Sequence, residues 1–350
     1  MMPDAGSAAR GHLRLSRRKS TGLALLGAAV IGLLALDALV GPAGLLGSEA
    51  LRQALSGAGM GSDTALGLIV WEIRLPQALM ALSIGAALGL AGAEMQTVLD
   101  NPLASPFTLG ISSAAALGAA LTLVLGLHVP GVSDSWALTA TAFVFAAACA
   151  ALLDGVARRA RLGAAGIVLF GIALVFTFNA LLSLVQFVAN ASALQDLVFW
   201  MMGSLARSSW PGVIAMLAAL LAVAPFSMRS AWQLTALRFG EERAVSFGVD
   251  TRRVRRAALL RISLLSALAV SLVGVIGFVG LIAPHIARSF WGEDHRWYLP
   301  ASALVGSAIL IASAIAAKLV SPSFVLPVGI VTTLVGIPFF VAAVMRRQAA

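Results

Sequence analysis

Apolar runs near 20 residues recur along the chain, separated by short polar intervals. Each is long enough to cross a hydrocarbon layer about 30 Å thick. The pattern predicts ten helical spans, at roughly 22–41, 75–98, 107–127, 136–156, 164–186, 211–228, 258–278, 280–291, 300–319 and 326–345. Lipid-exposed backbone has to satisfy its own hydrogen bonds, so the expected fold is all-α and polytopic, with about ten transmembrane helices. A basic tail over 1–20 precedes a single membrane domain over 21–347, and no soluble domain interrupts it. The longest polar intervals after the tail are 42–73, 187–210 and 229–257. Within 187–210, Leu194, Leu197, Val198 and Met201 keep helical spacing. That spacing predicts a short helix lying at the outer face, with Trp200 and Trp210 as interfacial anchors.

Composition narrows the class. Of 350 residues, 60% are hydrophobic and 11% charged, too little polar surface for a soluble protein of this length. The net charge of +9 raises a nucleic-acid reading, but the placement of the cations argues for topology instead. With an even number of spans both termini share one side, and 20 of the 24 Lys and Arg fall there, 8 of them between Arg229 and Arg261. Only Arg52, Arg74, Arg207 and Lys318 fall on the other side. The positive-inside rule then puts both termini in the cytoplasm, with the chain in the plasma (inner) membrane. The apolar run behind Arg17-Arg18-Lys19 is long for a signal peptide and is read as an anchor helix. Cys149 is the sole cysteine, which excludes an internal disulfide and suits a small core residue. The four histidines, at 12, 128, 285 and 295, lack metal-ligand spacing.

Several local features carry more specific information. Gly85, Gly89 and Gly92 form a face in the second span that lets neighbouring backbones approach closely. Gly274, Gly277 and Gly280 echo it in the seventh, each set following a serine, Ser83 or Ser271. Those two spans cross in opposite directions, as an inverted repeat would arrange them. Asn101-Pro102 ends the second span sterically. Glu94 lies within that span, and an intramembrane carboxylate is a functional candidate by default. A neutral carboxyl bonded to Gln96 or to a neighbouring helix is the alternative. The segment LRFGEERAVSFGVDTRRVRR (237–256) reads as a short amphipathic helix opened by two glutamates, which favour its N-terminus. A solvated loop whose arginines hold topology is the competing reading.

Three segments together resemble the permease subunits of ABC importers for iron-siderophores, haem and vitamin B12, the FecCD/BtuC type. They are RLPQALMALSIGAALGLAGAEMQTVLDNPLASPFTLG (74–110), the 237–256 segment, and the run holding GFVGLIAPHIAR (277–288), EDHRWYLPAS (293–302) and LPVGIVTTLVGIPFF (326–340). The resemblance implies a coupling helix for an ATPase subunit at Gly240, Glu241, Glu242, Ala244 and Gly248. It implies docking of a soluble binding protein at Arg74 and Lys318, with snorkelling helix-end cations as the competing reading. Gln77 departs from the family pattern where many relatives carry a second arginine, which shifts weight to Arg52 or Arg207. A cytoplasmic gate falls at Gly163, Ala164 and Ala165, with close helix packing as the alternative role for these small residues. Implied partners are ABC ATPase subunits, a binding protein, a second permease subunit (identical or paralogous) and membrane lipid, with no nucleic acid. No cofactor or metal is expected on this chain, and ATP would be used by the partner subunits.

Other function classes fit less well. An ion-coupled secondary transporter using Glu94 needs several intramembrane ionisable groups, whereas Asp37 and Asp154 fall near helix ends. Gly110-Ile111-Ser112-Ser113-Ala114 lacks the closing glycine of a nucleophile elbow. No phosphate-binding P-loop occurs. The expectation is therefore a transport subunit, not an enzyme. The form NPLASPFTLGISSAAALGAAL favours ferric siderophores as cargo, with haem and cobalamin as alternatives.

Overall fold

The computed structural model describes residues 5–41, 44–45, 65–127, 131–320 and 324–348. The helices are α1 (Ala5–Leu39), α2 (Leu75–Val98), α3 (Ile111–Leu125), α4 (Asp134–Arg159), α5 (Ala164–Val188), α6 (Ala191–Met201) and α7 (Trp210–Arg229). They continue as α8 (Ala231–Leu237), α9 (Glu241–Ser246), α10 (Thr251–Val273), α11 (Val279–Trp291), α12 (His295–Leu319) and α13 (Val328–Gln348). Extended pairing among the described residues is confined to Val40–Gly41 against Gly44–Leu45.

Among the described residues, seven helices are long and apolar enough to cross a membrane: α1, α2 with the π-helical turn Ile69–Arg74 before it, α4, α5, α7, α10 and α12. Two of the other three expected spans are shorter, for local reasons. Ser105 and Thr108 close a reciprocal capping box around a tight turn at Pro106–Leu109, and Gly110 then takes φ 84, so α3 starts only at Ile111. α10 stops at Gly274, whose φ of 82 suits glycine, and Phe278 adopts φ 66 before α11 begins. α11 has 13 residues and rises about 20 Å, well short of a full crossing. α13 runs over Val328–Gln348 and stays apolar as far as Met345. Of the second glycine set, Gly280 alone lies on a helix, so Gly274 and Gly277 do not extend a matching helical face.

α2 occupies the centre, with α12, α10, α11 and α7 packed around it. A methyl group on Gly85, Gly89 or Gly92 would run into the backbone at Gly306, Ser302 and Gly280 respectively. The glycine face therefore has the packing role expected of it. Ser307 adds a hydrogen bond across the same seam, donating to the Leu82 carbonyl at 2.8 Å. On the outside of the bundle, α5 presents Leu169, Phe176, Leu184 and Phe187, an apolar surface suited to lipid or to a second subunit. Cys149 is buried in α4.

The 187–210 interval does hold the short helix α6, but its tryptophans are not interfacial anchors. Trp200 is fully buried beneath the Arg207 guanidinium, which stands 5.7 Å from its ring. Trp210 donates from its indole to the Trp71 carbonyl at 3.0 Å and packs beside the Trp71 ring. Spacing alone could not separate a buried aromatic from an interfacial one.

The seam makes a prediction with opposite signs for one chemistry. Gly27 on α1 has open space where a side chain would go, so Gly27→Ala should leave the thermal midpoint unchanged or raise it, since alanine is favoured in helices by about 1 kcal/mol. Gly89→Ala meets rigid backbone and should lose more than the roughly 1–3 kcal/mol typical of overpacking. Thermal unfolding of the two variants in detergent measures both; equal midpoints would contradict the packing account.

Candidate coupling and passage sites

The loop between α7 and α10 folds into two short helices braced against the bundle. Gly240 (φ 100) and Gly248 (φ 81) bound α9, and a side chain at either would meet no neighbour, so each glycine serves its backbone angle. Ala244 is fully buried beneath α9. The two glutamates at its start part company. Glu241 turns back: Thr251 donates to its Oε1 at 2.9 Å and Arg255 Nη2 to its Oε2 at 3.0 Å. Arg255 Nε in turn donates to the Val98 carbonyl at the end of α2, at 3.0 Å. Burial pushes the Glu241 carboxyl upward, but the Arg255 and Thr251 hydrogen bonds and the charges of Arg255 and Arg252 outweigh it and hold it below the usual glutamate value. Glu242 points away with Phe239, Val245 and Phe247, an exposed mixed surface.

A second set of contacts ties this loop to the bundle. Arg238, just before α9, pairs with Glu293 and, at 3.4 Å, with Asp100 in the turn after α2. Burial opposes ionisation of Glu293, and Arg238 and Arg288 outweigh it, so its carboxyl is held low. Arg288 of α11 donates to the Tyr298 hydroxyl at 3.1 Å and to Gln96 Oε1 at 3.4 Å. His295, completely buried, lies between Thr97 Oγ1 at 2.8 Å and Thr235 Oγ1 at 3.2 Å. One imidazole thereby joins α2, α8 and α12. His295 had no recognisable ligand spacing because its partners come from 198 and 60 residues away.

Glu94 is 1% exposed and is not alone. Arg261 Nε reaches both of its oxygens at 3.1 Å, so the carboxylate joins α2 to α10. A neighbouring helix is thus its partner, not Gln96.

At the opposite end Arg74 and Lys318 face inward. Lys318, 5% exposed, donates to Asp37 Oδ1 at 2.9 Å and to the Asp37 carbonyl at 3.0 Å. Arg74 donates to the Leu39 carbonyl at 2.8 Å. Both cations clip α1 to the helices beside it. Arg52 lies outside the described residues.

Gly163 caps the start of α5 with no side-chain hydrogen bond, and nothing lies within 4 Å of where its side chain would be. Gly163 and Ala165 are exposed, so packing within this chain does not require them to be small. Elsewhere a cleft of about 520 Å³ runs between the turn after α2, the end of α6, the α10–α11 link and α13. Phe107, Thr108, Met201, Phe278 and Thr333 line it, and no charged side chain does. Such a wall offers shape and weak contacts without a fixed counter-charge.

The sequence profile of the FecCD transport family matches residues 27–346. The vitamin B12 import system permease BtuC of Vibrio cholerae is 37% identical over 80% of this chain and 83% of its own length. An iron chelatin transport system permease of Helicobacter pylori is 36% identical over 81% of this chain and 85% of its own. A solved metal-chelate type ABC transporter in an inward-facing conformation superposes with a TM-score of 0.79 at 27% identity, covering 93% of this chain and 98% of that one.

The buried pair of Lys318 and Asp37 predicts an asymmetry. Lys318→Ala strands Asp37 in the interior and should cost about 3–5 kcal/mol, whereas Asp37→Leu with Lys318→Met should be close to neutral. Chemical unfolding in detergent compares them, and a mild single variant would show that the pair is not load-carrying in the fold. With a helical membrane fold, a matching profile over nearly its full length and relatives of this similarity, the chain belongs to the FecCD transport family, the permease subunits of ABC importers.

Proposed function

We propose that this chain is the membrane subunit of an ATP-driven importer that carries an iron chelate of the ferric-siderophore class. In this reading both termini and the α8–α9 loop face the cytoplasm, where 20 of 24 cations lie in the ten-span topology. Two such subunits, identical or paralogous, would flank a central path lined in part by the uncharged cleft. Two ATPase subunits would seat on α9 and a binding protein would deliver cargo to the opposite face. ATP is used by the partners, and this chain does no bond chemistry.

The observation that carries the reading is the bracing of α9. Its outward surface, Glu242 with Phe239, Val245 and Phe247, is free for a partner, while Glu241, Arg255 and Arg238 fasten its inner side to α2 and α12. A push on α9 therefore reaches the central helices without being absorbed by the loop. The exposed Gly163 and Ala165, with the half-buried Ala164 between them, suit a closure made between two subunits rather than within one. Glu94, already engaged by Arg261, is a brace in this scheme and not a proton carrier. Docking of the binding protein at Arg74 and Lys318 would require those cations to leave Leu39 and Asp37. The remaining steps are alternating access, biased by nucleotide and by loaded binding protein.

Uptake into proteoliposomes holding this chain with its ATPase and binding protein tests the proposal, with radio-iron siderophore, haem and cobalamin in parallel. Iron-siderophore uptake that needs internal ATP is expected. Uptake driven by a pH gradient without ATP would overturn it. Within that assay Phe247→Ala should reduce transport by about tenfold or more through loss of a buried aromatic contact at the partner interface, with the chain still folded. Unchanged uptake would remove α9 from the coupling path.

A further inference from the structure

A second cavity, of about 620 Å³, opens at the arginine-rich end between the end of α4, the start of α5, and α9 with the first turns of α10. Six arginines line it, at 158, 161, 252, 253, 255 and 256, against three carboxylates. Every carboxylate is already engaged. Asp154 pairs with Arg158 at 2.9 Å and Arg256 at 3.8 Å. Glu241 holds Arg255 and Thr251, and Asp250 caps α10 by accepting from the Arg253 amide at 3.0 Å. The guanidinium groups of Arg161 and Arg253 form no ion pair or hydrogen bond among the described residues, and Arg252 feels only the charge of Glu241, which Arg255 already holds. The lining thus carries three more positive than negative side chains.

Topology alone explains cations on this side of the membrane, but not the position of Arg161. Leu162 N donates to the Ala157 carbonyl at 2.9 Å, which closes the end of α4 in a Schellman-type turn. Such a turn requires a left-handed residue just before Leu162, usually glycine. Arg161 fills it with φ 51. An arginine held at a backbone position that favours glycine marks a place where the side chain is kept despite the fold. The first amides of α5, which no side chain caps, open beside it at Gly163. Ala157, Leu162, Ile167 and Leu259 supply an apolar floor.

We propose that this cavity binds a phosphate group, as the headgroup of an anionic phospholipid or as a soluble phosphate. Forked guanidinium donors match phosphate oxygens in charge and geometry. A phosphate held there bridges the α4–α5 turn to the start of α10. On the functional reading above, it would fasten the gate residues to the coupling segment. The binding itself does not depend on that reading.

The test uses the purified chain in nanodiscs of phosphatidylcholine. One arm replaces part of the lipid with phosphatidylglycerol; the other adds inorganic phosphate at constant ionic strength, with chloride as the balancing anion. Thermal midpoints are read for the wild type, for Arg161→Gly, for Arg252→Gln with Arg253→Gln, and for a tail control, Arg17→Gln with Arg18→Gln. A rise in the midpoint in at least one arm is expected, and which arm responds identifies the source of the phosphate. Arg161→Gly should match or exceed the wild type without the anion, because glycine relieves the left-handed backbone. It should nonetheless need about tenfold more of the anion for the same rise, as loss of a charge-assisted hydrogen bond implies. The Arg252/Arg253 variant should weaken likewise, and the tail control should respond as wild type. No rise in either arm, a full response in Arg161→Gly, or an equal loss in the tail control would each overturn the proposal. None of these outcomes involves transport, so they leave the importer reading to its own test.

Discussion

A helix enclosed by four others has to give up side-chain volume wherever a neighbour crosses it. For α2 this sets the course of the rest of the molecule. Gly85, Gly89 and Gly92 bring it into backbone contact with α12 and α11, closer than any side chain would allow. Contact of that kind is rigid, because no rotamer change can relieve it. It also forces the buried polar groups near its C-terminal end to find partners inside the protein. Glu94, Gln96 and Thr97 do so, from α10, α11 and α12 respectively, as Arg74 just before the helix does from α1.

Those partners divide the molecule into two ends with different character. At one end Asp37, Lys318 and Arg74 hold α1 in place through buried charge. A buried pair of this kind adds little net stability over an apolar one, yet is costly to break. Its effect is to fix one arrangement. At the arginine-rich end the same principle runs through a chain of contacts: Glu241 to Arg255 to α2, Arg238 to Glu293 and Asp100, and His295 to Thr97 and Thr235. α9 keeps an exposed face while its inner face is committed to the bundle.

The hydrophobic runs and the Asn101-Pro102 turn were enough to read the membrane fold, because a bilayer imposes length and internal hydrogen bonding on any span. Span ends were harder. Capping at Ser105, Gly110 and Gly274 shortened α3 and α10 by chemistry that acts over three or four residues, inside runs that remain apolar throughout. The coupling segment was visible as a pattern, but the different fates of Glu241 and Glu242 depend on Arg255, which folding rather than spacing brings near. Glu94 shows the same limit. A lone intramembrane carboxylate reads as functional until the structure supplies Arg261 from 167 residues away. Arg74 and Lys318 carried a family role outward in the sequence and turn inward in the structure. Trp200 likewise left the interface for the core.

The central claim is that α9 and the helices it braces move as one body. Spin labels at exposed positions 243 and 103, introduced as Arg243→Cys on α9 and Leu103→Cys in the turn after α2 in the assembled transporter, report on it, since the native Cys149 is buried. Pulsed dipolar distances would be taken with and without ATP. A 243–103 distance within one subunit that holds to within about 1–2 Å, the scale of a small helix shift, while the 103–103 distance between subunits changes clearly, is the predicted result. A 243–103 distance that changes while the 103–103 distance stays fixed would mean that the loop absorbs the motion, and would contradict the account.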